Sequence, residues 1–292
     1  MNSTSIGVAV MKKYQILLLF LTVFTGILYC QDYKIMTYNL RYENDIDGEN
    51  IWANRKDLIK SQIEYYEPDV IGTQEGVTNQ IKWLDENLAN YDYVGIGREE
   101  GLGKDPGEFS AIFYNKNKLS VVKSGTFWLS ATPKVVSLGW DAKQYRICSY
   151  VLLKDKKNGK QFFAFNTHFD HRGDIAREKS AELISNQIKS INNKNYPVVL
   201  TGDFNLAPDS SPIKYLSEKF NDSRAVSKSK PFGPEQTFCN FDVCKPPEKR
   251  IDYVFSSKGN VIVNKYATIV NIWNVRYASD HYPVLINISI IK

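Results

Sequence analysis

Short apolar runs that end in polar or glycine residues recur along most of the chain, a pattern typical of β-strands. They predict nine strands, at Lys34–Asn39, Val70–Gln74, Tyr93–Ile96, Ala111–Tyr114, Ile147–Leu153, Phe162–Asn166, Val198–Thr201, Ile251–Phe255 and Val284–Ile290. Apolar positions at helical spacing predict three helices, at Arg55–Tyr66, Gln80–Leu88 and Ile175–Ile191. Because the helices are interspersed among the strands without a linker or repeat, the pattern predicts one α/β domain.

The beginning of the chain has a different pattern, that of a secretion signal. Two adjacent lysines precede the apolar run Ile16–Phe24, and the apolar stretch ends near Cys30. A basic segment followed by roughly 7–15 apolar residues is typical of a cleaved signal, whereas a membrane span needs about 20. We expect a signal peptide over residues 1–30, a folded domain over residues 31–292, and a secreted or periplasmic protein. A retained anchor and a lipoprotein attached through Cys30 are less favoured alternatives, the second because Tyr29 stands where such signals have a small residue.

Composition and charge exclude some classes of protein. The 292 residues are 43% hydrophobic and 24% charged, which excludes a largely disordered chain. The formal charge is +5, and without the two lysines of the leader it is +3, too small to indicate a nucleic-acid surface by itself. Cys239 and Cys244 are close enough for a loop disulfide, and the alternative is that these two and Cys148 are buried thiols.

Polar side chains stand at the ends of the predicted strands. They are Asn39, Glu75, His168, Asp203, Asn205, Asp252, Asp280 and His281. Strand ends at one edge of an α/β sheet form a natural binding site, so we expect these side chains to converge. Carboxylate and amide oxygens suit Mg²⁺, with Mn²⁺ or Ca²⁺ as alternatives, and the histidines can serve as acid and base. No nucleophile-elbow motif or phosphate-binding P-loop is present in the sequence.

The order of these motifs resembles the endonuclease/exonuclease/phosphatase superfamily. The motifs are Tyr38-Asn39, Gln74-Glu75, Thr167-His168, Gly202-Asp203-Phe204-Asn205, Ile251-Asp252-Tyr253 and Ser279-Asp280-His281. The resemblance covers the chain from about Tyr33 to Ile290. It implies a four-layer α/β sandwich of the deoxyribonuclease-like type, with two packed mixed β-sheets flanked by helices. It also implies a phosphoesterase in which a metal ion assists the attack of water on phosphorus.

The resemblance also implies a role for each motif. Glu75 resembles the principal Mg²⁺ ligand, with Asn39 and Asp280 nearby. Asp203 and Asn205 resemble the pair that aligns the attacking water and the phosphate oxygens.

Two histidines and their partners follow from the same resemblance. His281 resembles the histidine that contacts the scissile phosphate, and Asp252 resembles the carboxylate that orients it. His168 resembles the second histidine of the deoxyribonuclease, sphingomyelinase and deadenylase branches, with Glu108 as its carboxylate partner.

Two arginines resemble phosphate-holding residues of the deoxyribonucleases. They are Arg41 and Arg146, and Arg146 has the alternative interpretation of a surface charge on an edge strand. The segment that ends in Ser210 resembles the G-D-F-N-x-x-P-x-S motif of the deadenylase and nocturnin branch, and exported bacterial relatives of that branch resemble the chain throughout. Leu206 disfavours the inositol-polyphosphate 5-phosphatases, which have an arginine there.

The resemblance therefore predicts an exported hydrolase of phosphodiester or phosphomonoester bonds, with 3′-to-5′ exonuclease activity as one form. The alternatives are a phosphatase of sugar phosphates or phospholipid head groups, and a non-catalytic metal- or phosphate-binding module. The expected partner is a phosphate-ester substrate, nucleic acid or nucleotide included, and the expected state is a monomer without a membrane span after signal cleavage.

Substrate selection is expected from loops, because loops carry specificity on rigid scaffolds. The candidate loops are Ile96–Glu108, Thr126–Arg146 and Asp170–Arg177. Within them, Trp128 and Trp140 are candidates to stack on a base or sugar, and core packing is the alternative for each.

Overall fold

The computed structural model describes residues 32–291. The predicted signal peptide and its cleavage site lie outside the described residues. Within residues 32–291, no helix is both long and apolar enough to cross a membrane.

The strands and helices of the described region are labelled in chain order. The strands are β1 Asp32–Asn39, β2 Val70–Gln74, β3 Tyr91–Val94, β4 Ile112–Asn115, β5 Leu119–Trp128, β6 Ile147–Asp155, β7 Gln161–His168, β8 Val198–Asp203, β9 Asn221–Asp222, β10 Asp252–Ser256, β11 Val261–Thr268 and β12 Val284–Ile290. The helices are α1 Trp52–Tyr66, α2 Thr78–Asn87, α3 Asp174–Ile191, α4 Ser211–Lys219 and α5 Ser223–Val226, and a 3₁₀ helix covers Asp45–Asn50.

The strands form two six-stranded sheets. The first sheet has the order β11-β12-β1-β2-β4-β3 and the second has the order β5-β6-β7-β8-β10-β9. Both are mixed, because β1 and β2 are parallel, β7 and β8 are parallel, and the remaining pairs are antiparallel. Residues of α1 and α2 pack on the outer face of the first sheet, and residues of α3 and α4 pack on that of the second. The predicted four-layer α/β sandwich is therefore confirmed.

Burial on both faces explains why the central strands read as continuous apolar runs. In β1, Tyr33 and Ile35 face the second sheet, whereas Met36 and Tyr38 face the helices. A strand covered on both faces needs apolar residues at nearly every position. The central strands were predictable from the sequence for this reason.

A buried polar network bridges the two sheets between β7 and β2. Asn166 in β7 donates from Nδ2 to the carbonyl oxygens of Thr73 (2.7 Å) and Ala111 (3.0 Å) in the first sheet. Its Oδ1 accepts from Gln74 Nε2 at 2.7 Å and from Thr201 Oγ1 at 3.0 Å. These buried hydrogen bonds fix how the sheets are joined at this level, and Gln74 Oε1 is left without a partner among the described residues.

Gly72 in β2 allows this close approach. A Cβ atom there would lie 2.0 Å from Thr201 Oγ1 and 2.5 Å from Asn166 Oδ1. We expect Gly72→Ala to lower the free energy of unfolding by about 1–3 kcal/mol, the usual cost of overpacking, as measured by urea denaturation. The same substitution in a Thr201→Ala background should cost less, because the nearer obstacle is gone. An equal cost in both backgrounds would contradict the steric explanation.

Some elements differ from the prediction. The predicted strand Tyr93–Ile96 is found at Tyr91–Val94, and the predicted strand Ile251–Phe255 begins one residue later, at Asp252. Strands β5, β9 and β11 and helices α4 and α5 were not predicted. β5 is an edge strand with a register shift between Val121 and Lys123, and its exposed middle residues give no apolar run.

The cysteines follow neither interpretation of the sequence. The three cysteines among residues 32–291 are free, so Cys239 and Cys244 are not joined. Cys148 and Cys239 are buried, whereas Cys244 is exposed.

Candidate functional site

The motif residues meet at one end of the sandwich, and both sheets contribute to them. Asn39 ends β1, His168 ends β7 and Asp203 ends β8, each at the carboxyl end of its strand. Asp252 instead begins β10, and it stands opposite Asp203 in the antiparallel pairing of β10 with β8. His281 lies just before β12, which is antiparallel to β1. The expectation of a single sheet edge is therefore wrong, because the site spans the ends of both sheets.

Glu75 and Asp203 belong to different sheets and are linked by Asn39. The Asn39 Nδ2 atom donates to Glu75 Oε1 and to Asp203 Oδ2, each at 3.0 Å. Ligand atoms of Glu75, Asp203 and His281 all lie within 4.8 Å of one another. Glu75 and Asn205 have left-handed backbone conformations (φ 64° and 52°), in which few residues other than glycine are found. These two residues hold the turns at the ends of β2 and β8.

His281 and Asp252 form a buried pair. The His281 Nδ1 atom lies 2.9 Å from Asp252 Oδ2. The Thr237 hydroxyl accepts the Asp252 backbone N–H at 3.1 Å, and the Phe238 ring meets the imidazole edge-on at 5.1 Å. Burial alone would lower the pKa of His281, but Asp252, together with Asp203 and Asp280, raises that pKa well above its usual value. This setting favours the protonated form of His281, in which the ring is a hydrogen-bond donor.

His168 has the opposite electrostatic setting. Its Nε2 atom lies 3.1 Å from Asn205 Nδ2 and 3.6 Å from Asp203 Oδ2, and its Nδ1 atom lies 3.7 Å from Glu108 Oε2. Burial, together with the charges of Arg146 and other cations, lowers the pKa of His168 well below its usual value. This setting favours the neutral form of His168, so the pKa values of the two imidazoles are shifted in opposite directions.

The buried carboxylates of the site have too little positive charge around them. Burial and the charge of Asp252 raise the pKa of Asp203 to about 7. Burial, with a further contribution from Glu75, raises the pKa of Asp280 to about 6 even though His281 acts in the opposite direction. A set of oxygen donors that repel one another in a buried site fits a divalent cation, which would supply the missing charge.

The two predicted phosphate-holding arginines differ in their surroundings. Arg41 donates to both Asp47 oxygens, at 2.9 and 2.7 Å, and its Nε atom lies 3.9 Å from Asp280 Oδ2. Arg146 is only 6% exposed, so its interpretation as a surface charge is wrong. Its Nη1 atom lies 3.6 Å from Glu108 Oε2.

Glu108 is placed beside His168, as predicted, but its shortest contact is with an arginine. Arg98 donates from Nη1 to Glu108 Oε2 at 2.7 Å, compared with 3.7 Å between Glu108 and His168. Burial raises the pKa of Glu108, while Arg98 and Arg146 oppose that shift. Glu108 thus holds together a cluster of cations at this side of the site.

Two loops beside the site are tied to each other, a feature that sequence reasoning missed. Asp170 Oδ2 accepts the backbone N–H groups of Lys143 and Gln144, at 3.0 and 3.1 Å. In return, Asp141 Oδ1 accepts the N–H of Ala176 in the first turn of α3, at 2.6 Å. We call this reciprocal pair of carboxylates the loop clasp. The only indication of the loop clasp in the sequence was the position of Asp170, two residues after His168.

The two candidate tryptophans have different environments. Trp128 is 7% exposed and donates from its indole nitrogen to the Arg98 carbonyl oxygen at 2.8 Å, so it packs in the interior. Trp140 is 39% exposed and lies in the loop that the clasp holds. The prediction that Trp128 stacks on a ligand is therefore wrong. The prediction that Trp140 does so stays a prediction.

Comparisons with known proteins agree with this geometry. The model of the Endonuclease/Exonuclease/phosphatase family matches residues 36–281, which contain all six motifs. Among solved structures, the Bacteroides thetaiotaomicron mannosyl-6-phosphatase Bt3783 is 37% identical with a TM-score of 0.83, over 88% of this chain and 99% of that chain. The uncharacterized protein L388 of Acanthamoeba polyphaga mimivirus is 31% identical over 80% of this chain and 91% of its own length.

Mouse nocturnin is a more distant relative. It is 25% identical over 80% of this chain and 56% of its own length, so the chain spans just over half of that protein. Enzymes of the matched family depend on divalent metal ions and hydrolyse phosphoesters. The matched model covers most of the chain, and the six motifs converge on one end of the sandwich. The chain therefore belongs to the endonuclease/exonuclease/phosphatase family and is a phosphoester hydrolase.

Proposed function

We propose that the protein is an exported, Mg²⁺-dependent phosphatase that removes the phosphate group from a phosphorylated sugar. The observation that carries this proposal is the 37% identity to a mannosyl-6-phosphatase across 99% of that chain. Export is supported by the basic and apolar pattern of residues 1–30.

The metal would be held mainly by Glu75 and Asp203, with Asn39 and Asp280 beside them. His281 lies within reach of the same point, and its Nδ1 atom is held 2.9 Å from Asp252 Oδ2. When bound, Mg²⁺ would neutralise the charge that develops on the phosphoryl oxygens and the leaving oxygen.

The side chains of the chain itself would position the reactants. His281, charged and fixed by Asp252, donates a hydrogen bond to a phosphate oxygen. Asp203 orients the attacking water and accepts its proton. Asn205 donates to His168 Nε2 and to the Phe169 carbonyl oxygen, both at 3.1 Å, and so fixes the orientation of the imidazole.

The pairing of Arg41, Arg98 and Arg250 with carboxylates favours a small substrate over a polymer. Arg41 is paired with Asp47, Arg98 with Glu108, and Arg250 with Asp222 at 2.6 Å. A nucleic-acid backbone is bound by rows of basic side chains that neutralise several phosphates. Arginines already neutralised by carboxylates provide less of that attraction.

A second candidate is a 3′-to-5′ exonuclease. It is supported by the Gly202–Ser210 motif and by the 25% identity to nocturnin. In this case the exposed ring of Trp140 would stack on a base.

Turnover of four substrates by the purified protein with Mg²⁺ separates these candidates. We expect mannose 6-phosphate and p-nitrophenyl phosphate to be hydrolysed with a higher kcat/KM than bis(p-nitrophenyl) phosphate or an oligoribonucleotide. Addition of EDTA should abolish all activity, and added Mg²⁺ should restore it. Faster hydrolysis of the oligoribonucleotide than of mannose 6-phosphate would contradict the proposed function and support the exonuclease.

A further inference from the structure

His171 is a titratable side chain beside the site to which no role has been given. It lies three residues after His168, and its side chain is exposed whereas that of His168 is buried. Asp170 holds the turn around it, because its Oδ1 atom accepts the N–H groups of Arg172 and Gly173 at 2.9 and 2.7 Å. In the loop clasp, the other oxygen of Asp170 accepts the N–H groups of Lys143 and Gln144. Backbone hydrogen bonds therefore fix the position of His171.

The contact between His171 and Arg146 determines which ring nitrogen carries the proton. Arg146 Nη2 lies 3.4 Å from His171 Nδ1. A guanidinium can only donate, so Nδ1 accepts and the hydrogen of the neutral ring is on Nε2. Burial and the charge of Arg146 lower the pKa of His171, which agrees with a neutral ring. No hydrogen bond of Nε2 to residues 32–291 is found, so this N–H is available to a ligand.

Arg146 supplies a second observation that points to a ligand at this place. Its exposed fraction is only 6%. The nearest carboxylate oxygens nevertheless lie 3.6 Å from Nη1 (Glu108) and 3.9 Å from Nε (Asp170). Its Nε atom is buried without any hydrogen-bond partner among the described residues. A buried guanidinium without a close carboxylate is costly, and the negative charge of a ligand oxygen nearby would offset that cost.

We propose that His171 determines specificity by donating from Nε2 to an oxygen of the sugar part of the substrate, while Arg146 faces the phosphate side. This inference rests on the proposed function. In the proposed function, the reacting phosphate lies beside the buried residues His168, His281 and Asp203. His171 is linked to that centre through Arg146 and Glu108 and is exposed to solvent, so it is placed to contact the part of the substrate that leaves. A neutral N–H suits a hydroxyl or ring oxygen, whose recognition needs a hydrogen bond and no charge.

The test compares two monoesters that differ only in the group that leaves. We expect His171→Ala to lower kcat/KM for mannose 6-phosphate relative to that for p-nitrophenyl phosphate by about three- to tenfold, the effect of one neutral hydrogen bond. His171→Gln should restore part of the ratio, because its amide can donate from a similar position. Arg172→Ala, which alters the exposed neighbour on the same turn, is the matched control and should leave the ratio unchanged.

Each other outcome has a defined meaning. If His171→Ala lowers both rates by the same factor, or if Arg172→Ala changes the ratio as much, the inference is overturned while the proposed function stands. If the wild-type protein hydrolyses p-nitrophenyl phosphate but no sugar phosphate, the proposed function fails and the inference fails with it. An unchanged unfolding midpoint in urea for His171→Ala separates loss of recognition from loss of the fold.

Discussion

Glu75→Gln should lose divalent-metal affinity and nearly all activity while the protein still folds. Glutamine has nearly the shape of glutamate and can still accept from Asn39 Nδ2, but it removes one negative charge from the donor set. Because carboxylate charge is what binds a hard cation, we expect turnover at saturating substrate to fall by at least about 10²-fold. The Mg²⁺ concentration needed for half-maximal activity should rise. Isothermal titration with Mg²⁺ and activity measured across Mg²⁺ concentrations test both effects.

A matched control is available on the surface of α1. Glu64→Gln makes the same chemical change at an exposed position and should leave metal affinity and turnover unaltered. An unchanged Mg²⁺ dependence in Glu75→Gln would refute the assignment of Glu75 as the main ligand. A lower urea midpoint in that variant, without a change in metal affinity, would show that Glu75 is structural.

Asp252→Asn should lower kcat far more than it changes KM. The amide can still contact His281, but it carries no charge to keep the imidazole protonated and it can donate to the ring instead of accepting from it. A positioned proton donor contributes roughly 10²–10⁴-fold to turnover, so we expect a loss of kcat in this range. Steady-state kinetics with p-nitrophenyl phosphate measures the effect.

The control for Asp252→Asn is Asp209→Asn, which alters an exposed carboxylate in the loop after Asn205. It should have no effect on kcat. If Asp252→Asn instead raises KM and leaves kcat unchanged, then Asp252 contributes to substrate binding and does not orient the proton donor. Nuclear magnetic resonance of the His281 ring should show a lower pKa in Asp252→Asn than in the unchanged protein.

The sequence was sufficient for the parts of the fold that are buried on both sides. The apolar runs of β1, β2, β7 and β8 predicted the strands to within a few residues. Side chains on both faces of these strands pack in an apolar core, so apolar residues are needed at nearly every position. The edge strand β5 has exposed residues on consecutive positions, so its sequence carried no apolar run or clear alternation. Strand pairing, and not composition, makes that segment a strand.

The candidate site was predictable as a set of residues but not as a set of contacts. The motifs located Asn39, Glu75 and Asp203, and the structure brings all three together. The sequence could not show that Arg146 is buried or that Glu108 contacts Arg98 more closely than His168. Those facts depend on how separate loops pack, and side chains far apart in sequence give no periodic signal there.

The position of β12 has a consequence for when activity can arise during biosynthesis. This strand pairs with β1, so residues from near both ends of the described chain lie side by side in the first sheet. His281 and Asp280 come just before it and are synthesised after every other motif. A nascent chain that has already folded β1 to β10 therefore contains Glu75, His168 and Asp203 but lacks Asp280 and His281. Hydrolysis cannot begin until the last strand is inserted, and the unpaired edges of β1 and β11 are open to misassociation until then.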